Sequence, residues 1–528
     1  MKTSFKRLLV FTVFLALLGG WIGYGPADAA EPKTLIYSWA GNVGPLNPHT
    51  YSPNQMFAQA MVYEPLVRYG LDGKIMPWLA ETWDVSPDGR EYTFHLRKGV
   101  VFTDGTPFNA EAVKKNHDTV TANVASHDWL ELINQIQSTT VLGEYTVKVT
   151  MKDPYYPILQ DLALVRPIRH LSPAAFPDSG NTADGIKAAV GTGPWKLVET
   201  KLGEYDIFER NDQYWGPKPD IERIVIKVIP DPNTRAVAFE TGEIDLIYGD
   251  DQISLDTFDR FRNDPRFTTA LSQSLATRAV ALNSNRGPTK DLVVRKAVQH
   301  AVNKDALIKG IFLNTEKKAD TLYSGNIPYC DLGLKPYAYD PAAAETLLEE
   351  ARWKKDASGF RSKDGQALAL DLCFVGNNAV MKAVAEVLQA DLQKVGFKVN
   401  LLGEEEDSFY KRQHDGEFDL IFSDTWGPPY EPHSYLSSWR VPSHADYQAQ
   451  LGLPMKKELD ETIGRVLVTT DETQRQETYR HLLTTIHDQA VYLPISYTTG
   501  LIVHGEKLSG VAYGPTNYEI PFEKMIVN

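Results

Sequence analysis

Residues 77–113 read PWLAETWDVSPDGREYTFHLRKGVVFTDGTPFNAEAV, and their periodicity constrains the fold more than any other segment. Trp83 and Val85 lead into Ser86-Pro87-Asp88-Gly89, after which Tyr92, Phe94 and Leu96 alternate with Thr93, His95 and Arg97. A period of two on either side of a Pro-Asp-Gly turn predicts a β-hairpin with one apolar face. Asp104-Gly105 marks a second turn, and Asn109 is placed to cap a helix from Ala110. Elsewhere strands and helices mix without a regular βαβ period. Strands are expected at residues 34–39, 204–209, 221–229, 244–248, 368–375 and 398–402. Helices are expected after Ser52-Pro53, over residues 234–241 with Gly242 closing the turn, and from Asp340-Pro341 through Trp353. The class is therefore mixed α/β. At 528 residues the chain exceeds one ordinary core, so two or three lobes are expected.

The first residues carry an address. Lys2, Lys6 and Arg7 precede an apolar run over residues 8–18 broken only by Thr12, and Ala27-Asp28-Ala29 fits a small-x-small cleavage site. This pattern predicts an export signal over residues 1–29, cleaved near Ala29. No cysteine follows the cleavage site to accept a lipid, which points to a free periplasmic protein. The formal net charge of −14 disfavours nucleic acid and anionic lipid as partners. The two cysteines, Cys330 in a loop and Cys373 in an expected buried strand, leave their pairing open.

Catalytic patterns are missing. There is no HExxH, GxSxG, phosphate-binding loop or Rossmann glycine fingerprint, so an enzyme is not expected. The twelve histidines are scattered. His117, His127 and His300 read as surface residues, and His481 and His487 are six apart on one expected helix. No local spacing converges three or four metal donors. One segment stands apart: TWGPPYEPHSYLSSWRVPSHADYQAQ, residues 425–450, combines five aromatic residues with four prolines, His433 and His444. A proline-stiffened aromatic loop is a candidate pocket wall.

The order of pieces in residues 77–113 resembles the signature of the peptide/nickel/opine solute-binding proteins, family 5 of the ABC-importer binding proteins. RAVAFETGEIDL from Arg235 and VVRKAVQHAVNKDALI, ending at Ile308, resemble further signatures of that family. The resemblance implies a two-lobed periplasmic binding fold (class II, Venus-flytrap) with an extra subdomain in the first lobe. It implies lobe I over residues 30–275, lobe II over 276–497 and a return to lobe I over 498–528. It also implies a monomer that hands a small solute to an ABC permease in the cytoplasmic membrane.

Four segments resemble the nickel-binding members of the family: NVGPLNPHTYSPNQMFAQAMVYEPLV from Asn42, HDWLELINQI from His127, LALVRPIRHL from Leu162, and the 425–450 loop. By that resemblance His444, in VPSHAD, is the metal ligand, and Tyr51, Met56, Trp129, Arg166, Tyr410, Trp426 and Tyr430 line the pocket. The chain departs from the pattern at two places, where Ser126 replaces a pocket arginine and Tyr518 a pocket threonine. The implied cargo is nickel(II) with a small chelator such as L-histidine or a polycarboxylate. A single imidazole leaves cobalt and zinc open as well. A peptide or an opine-type metallophore is the alternative solute, with Asp424 as the acid for a peptide amine. His433 and Arg169 are expected to be structural.

Overall fold

The hairpin forms in the register its apolar positions demand. Across strands Ala80–Val85 and Glu91–Leu96, Trp83 faces Phe94 and Val85 faces Tyr92. Gly89 closes the turn at φ +70°, its N–H donating to the Ser86 carbonyl at 2.9 Å. Asn109 Oδ1 accepts the Ala112 N–H at 3.0 Å and starts the helix Ala110–Ala122. Strands Thr146–Met151 and Ile136–Gly143 extend the hairpin into a four-stranded antiparallel sheet, and the helix lies against it. This is a computed structural model, and it describes residues 31–51, 55–250 and 252–528. The expected export signal and the expected helix start at Ser52-Pro53 lie outside the described residues. The helix is described over Met56–Val62.

Two further sheets organise the rest. The first runs in the order Thr34–Trp39, Arg223–Val228, Tyr205–Arg210, Trp195–Lys201, parallel at its first pair and antiparallel beyond. The second has six strands: Lys317–Lys318, Tyr492–Tyr497, Thr277–Leu282, Leu420–Phe422, Ala369–Val375 and Lys398–Glu404. Its central strands Thr277–Leu282 and Leu420–Phe422 are buried along their whole length, as strands covered on both faces must be. The helix capped by Asp340 ends at Glu350, short of Trp353, because Arg352 turns left-handed at φ +68°. Among the described residues no helix is long and apolar enough to cross a membrane.

The chain passes between sheets twice. Strand Thr268–Leu271 belongs to a three-stranded sheet with Leu501–His504 and Leu246–Gly249, and residues 272–276 lead from it to the six-stranded sheet. Residues 498–500 lead back from Tyr492–Tyr497. The two passages are tied to each other: Leu275 N–H donates to the Thr498 carbonyl at 2.9 Å, and Thr498 N–H to the Ala276 carbonyl at 2.8 Å. Paired crossings of this kind act as a hinge.

Several polar contacts hold the parts on either side of the hinge together. His433 Nε2 and Ser434 Oγ both reach the fully buried Asp161 Oδ1 at 2.9 Å, and Tyr155 donates to its other oxygen at 2.5 Å. Arg440 reaches Glu131 at 2.8 Å, and the hydroxyls of Tyr156 and Tyr479 meet at 2.7 Å. Both cysteines are buried and free. Removing one partner from a buried carboxylate costs about 1–3 kcal/mol. His433→Ala is therefore expected to lower unfolding stability in urea by that amount, while Ser434→Ala, which leaves the imidazole in place, costs less.

Candidate functional site

The site is built from two sides. From the chain before the hinge come Tyr51, Met56, Trp129 and Arg166. From the other side come Trp426 and Tyr430, on the loop that follows strand Leu420–Phe422, and His444, which caps the helix Ala445–Gln450. Trp129 meets Trp426 edge to face at 5.4 Å and Tyr430 at 6.0 Å. Tyr51 packs its ring against Trp129 at 5.9 Å. The Tyr430 hydroxyl lies 3.9 Å from the Met56 sulfur. Tyr518, returning from the C-terminal segment, packs against Tyr430 at 5.1 Å and donates its hydroxyl to the Trp426 carbonyl. Eight of the nine expected site residues thus form one contiguous group with Arg166 and His444 at its edges.

The loop has local reasons for its shape. Gly427 adopts φ +74°, and a Cβ there would lie 2.5 Å from the Leu275 carbonyl oxygen, so only glycine fits. Glu431, buried among apolar groups, accepts the Gly427 N–H at 2.7 Å. Burial pushes its carboxyl up to about 7, against the lowering effect of donors from Thr425, Gly427 and Trp426. Asp446, also buried and raised by burial, accepts the Tyr435 hydroxyl at 2.8 Å behind the Trp426 ring.

The electrostatics leave few charges in the group. Burial raises the phenols of Tyr51, Tyr430 and Tyr518, so all three stay neutral donors. Arg166 donates to the Tyr51 carbonyl at 2.9 Å and lies over the Tyr51 ring at 5.1 Å. Burial works against its charge, and Tyr430, Tyr51 and Tyr518 partly offset that cost. His444 stands 5.9 Å from the Trp426 ring. Desolvation lowers its pKa below 6.5, with Asp446 and Asp128 opposing, so the imidazole is neutral near pH 7. Among the described residues neither ring nitrogen of His444 has a hydrogen-bond partner, and no three His, Cys, Asp or Glu side chains converge on a metal position. A cation held at His444 must bring most of its own ligands.

Tyr410 stands apart. It is 53 % exposed on the helix Glu406–Asp415, and its ring contact is with Phe409, not with the aromatic group. Asp424 is engaged elsewhere, accepting the Ala279 N–H at 3.0 Å and lying 3.6 Å from Arg278, so it does not stand ready for a peptide amine. His117 and His127, expected at the surface, are buried. His117 faces inward from its helix, and burial takes it down to about 3. His127, taken down to about 4 by burial, shares a 2.8 Å hydrogen bond with the Tyr51 hydroxyl and so orients that ring. Its neighbour Ser126 lines a cavity of about 450 Å³ behind Tyr51.

Two lobes joined by a double crossing, with a cleft lined from both sides, define a solute-binding protein. The chain belongs to the bacterial extracellular solute-binding proteins, family 5, whose profile matches residues 74–447. It is 52 % identical over 499 residues to the nickel-binding periplasmic protein of Escherichia coli (strain K12), covering 94 % of this chain and 95 % of that one. It is 27 % identical over 521 residues to the dipeptide-binding protein of the same organism, covering 94 % of this chain and 95 % of that one. The crystal structure of NikA from Brucella suis in complex with Fe(III)-EDTA superposes with a TM-score of 0.92 at 58 % identity, over 94 % of this chain and all (100 %) of that one. NikZ from Campylobacter jejuni in complex with Ni(L-His) superposes at 0.80 with 25 % identity, over 94 % and 100 %.

Glu431 makes stability depend on pH. Its folded pKa lies above its unfolded one, so its contribution is full below about 4.5 and lost as pH rises through about 7. The melting temperature of wild type relative to Glu431→Gln is expected to fall between pH 5 and pH 8, by the equivalent of about 1 kcal/mol or more. Tyr410→Phe, by contrast, is expected to change ligand affinity less than about twofold in calorimetry, since the hydroxyl lies outside the aromatic group.

Proposed function

We propose that the chain binds nickel(II) as a complex with a small organic chelator outside the cytoplasmic membrane and delivers it, as a monomer, to an ABC permease. The observation that carries this reading is His444: one neutral imidazole with no protein partner among the described residues, set against an aromatic wall. Nickel(II) accepts imidazole and carboxylate donors in octahedral or tetragonal geometry. With one position filled by His444, a chelator such as L-histidine or a polycarboxylate supplies the rest. Arg166, whose planar fork suits a carboxylate, grips the organic part. Trp129, Trp426, Tyr51 and Tyr430 provide flat walls and neutral hydroxyls. Met56, already in contact with the Tyr430 hydroxyl, packs rather than ligates, because a thioether is a soft donor. The 52 % identity to a nickel-binding periplasmic protein supports the same reading, and the expected signal at residues 1–29 supports export.

Closure follows from the two-sided lining. A ligand that touches Tyr51, Trp129 and Arg166 on one side and Trp426, Tyr430 and His444 on the other favours the closed form by the contacts it makes across both. The closed form is what the permease recognises.

Calorimetry on metal-stripped mature protein tests the proposal. Nickel with excess L-histidine is expected to bind at least tenfold more tightly than nickel alone, and His444→Ala to lose about tenfold or more. Absence of heat with every nickel species would overturn the cargo. Affinity is expected to hold from pH 8 to 7 and to fall below 6.5, because protonation of His444 removes the donor lone pair and the lowered pKa places that loss on the acid side.

A further inference from the structure

A second cavity, of about 390 Å³, lies beyond the Tyr430–Tyr518 contact, between strand Val67–Tyr69, the end of the helix Met56–Val62 and the C-terminal segment 514–524. It is separate from the His444 group, none of whose residues lines it. Its polar lining is unusual. Arg68 stacks its guanidinium over Trp78 at 4.2 Å. Among the described residues no carboxylate lies within ion-pair distance of that guanidinium and no acceptor hydrogen-bonds it. Desolvation works against the Arg68 charge, and the more distant carboxylates of Glu519, Glu523 and Glu64 outweigh it. Glu523 likewise has no side-chain donor or ion pair among the described residues, and burial raises its carboxyl while Arg68 opposes.

Three further carboxylates and Arg169 in the cavity are committed. Glu64, on the floor, accepts from Trp78, Tyr214, Trp215 and Thr192 at 2.7 to 2.9 Å. Glu519 pairs with Arg169, which is 2 % exposed and also donates to the Tyr63 and Leu164 carbonyls. Asp72 pairs with Lys74. Arg68 and Glu523, with the exposed Lys524, therefore remain without an ion pair among the described residues in one concave space. The Trp195 ring N–H, buried beside it, also has no partner among the described residues. Met61 and Ile520 supply apolar wall, and Leu71 and Met76 leave apolar surface at 64 % and 44 % exposure along the same lining. The volume is that of a small-molecule site, mostly apolar with a few fixed polar groups.

We infer that this cavity binds a free α-amino acid with an apolar side chain, its carboxylate on Arg68, its ammonium on Glu523 and its side chain against Met61, Met76 and Ile520. A carboxylate completes the planar fork of Arg68, and an ammonium gives the part-buried Glu523 carboxylate a partner of opposite charge. The site is distinct from the nickel-chelate cleft and does not depend on it.

Metal-stripped mature protein is titrated with L-methionine, N-acetyl-L-methionine and L-methioninamide, followed by calorimetry and by ligand-observed NMR. L-Methionine is expected to bind wild type and His444→Ala within about twofold of each other, and the two blocked derivatives about tenfold or more weakly. Arg68→Gln is expected to lose about tenfold or more. Met76 lies directly opposite Arg68 in the strand pair, so Met76→Glu gives Arg68 an internal carboxylate partner at an exposed position and is expected to lose as much without a folding penalty. No binding at millimolar methionine, loss of binding in His444→Ala, displacement by nickel–histidine, or wild-type affinity in Met76→Glu would each overturn the assignment. Equal binding of N-acetyl-L-methionine would overturn the amino-acid class by removing the role of Glu523.

Discussion

The cleft depends on one close approach. Gly427 sits against the Leu275 carbonyl so tightly that a single methyl group would meet it at 2.5 Å. Leu275 is itself one of the residues pairing the two crossings between lobes. The backbone of the aromatic loop is therefore seated on the hinge, and Glu431 fastens it there through the Gly427 N–H. Trp426 is the residue before Gly427, so the ring that meets Trp129, Tyr430, Tyr435 and His444 hangs from backbone adjacent to the hinge. Movement of one lobe against the other must move that ring. The hinge and the aromatic wall of the candidate site thus share a backbone contact.

The charge pattern inside the protein follows from the same economy. Asp161 is saturated by His433, Ser434 and Tyr155. The His444 group contains neutral phenols, a neutral imidazole and one guanidinium, which suits a ligand that carries its own metal and its own carboxylates. Across the Tyr430–Tyr518 pair, Arg68 and Glu523 offer one charge of each sign, which suits a zwitterion. The cleft between the lobes and the cavity beside it thus differ in charge balance.

Much of the local structure was legible from residue patterns. The hairpin at 80–96, the Asn109 cap, the Asp340 cap and the turn at Gly242 each rest on contacts within a few residues, and sequence spacing reports such contacts directly. Two histidines expected at the surface, His117 and His127, are buried instead. His117 lies one helical turn from Val113 and Val120 and shares their buried face, a periodicity that could have placed it inside. His127 gave no such signal, because its partner Tyr51 is 76 residues away. Tyr410 follows the buried Phe409 on a helix, and neighbours on a helix point about 100° apart, so burial of one turns the other outward.

What the sequence determined by itself was the α/β class, the caps and turns, the missing catalytic patterns and the aromatic richness of residues 425–450, since each is a property of composition or short-range spacing. Resemblance to family 5 added the two-lobed arrangement and the identity of the candidate ligand residues. Only the tertiary structure brought Trp129 to Trp426 and Met56 to Tyr430, left the His444 imidazole unpartnered among the described residues, and set Arg68 opposite Met76 above a cavity. The contacts of Trp129 with Trp426 and of Met56 with Tyr430 join residues hundreds of positions apart. Their geometry is fixed by how the parts on either side of the paired crossings pack together, and no local pattern of side chains encodes that packing.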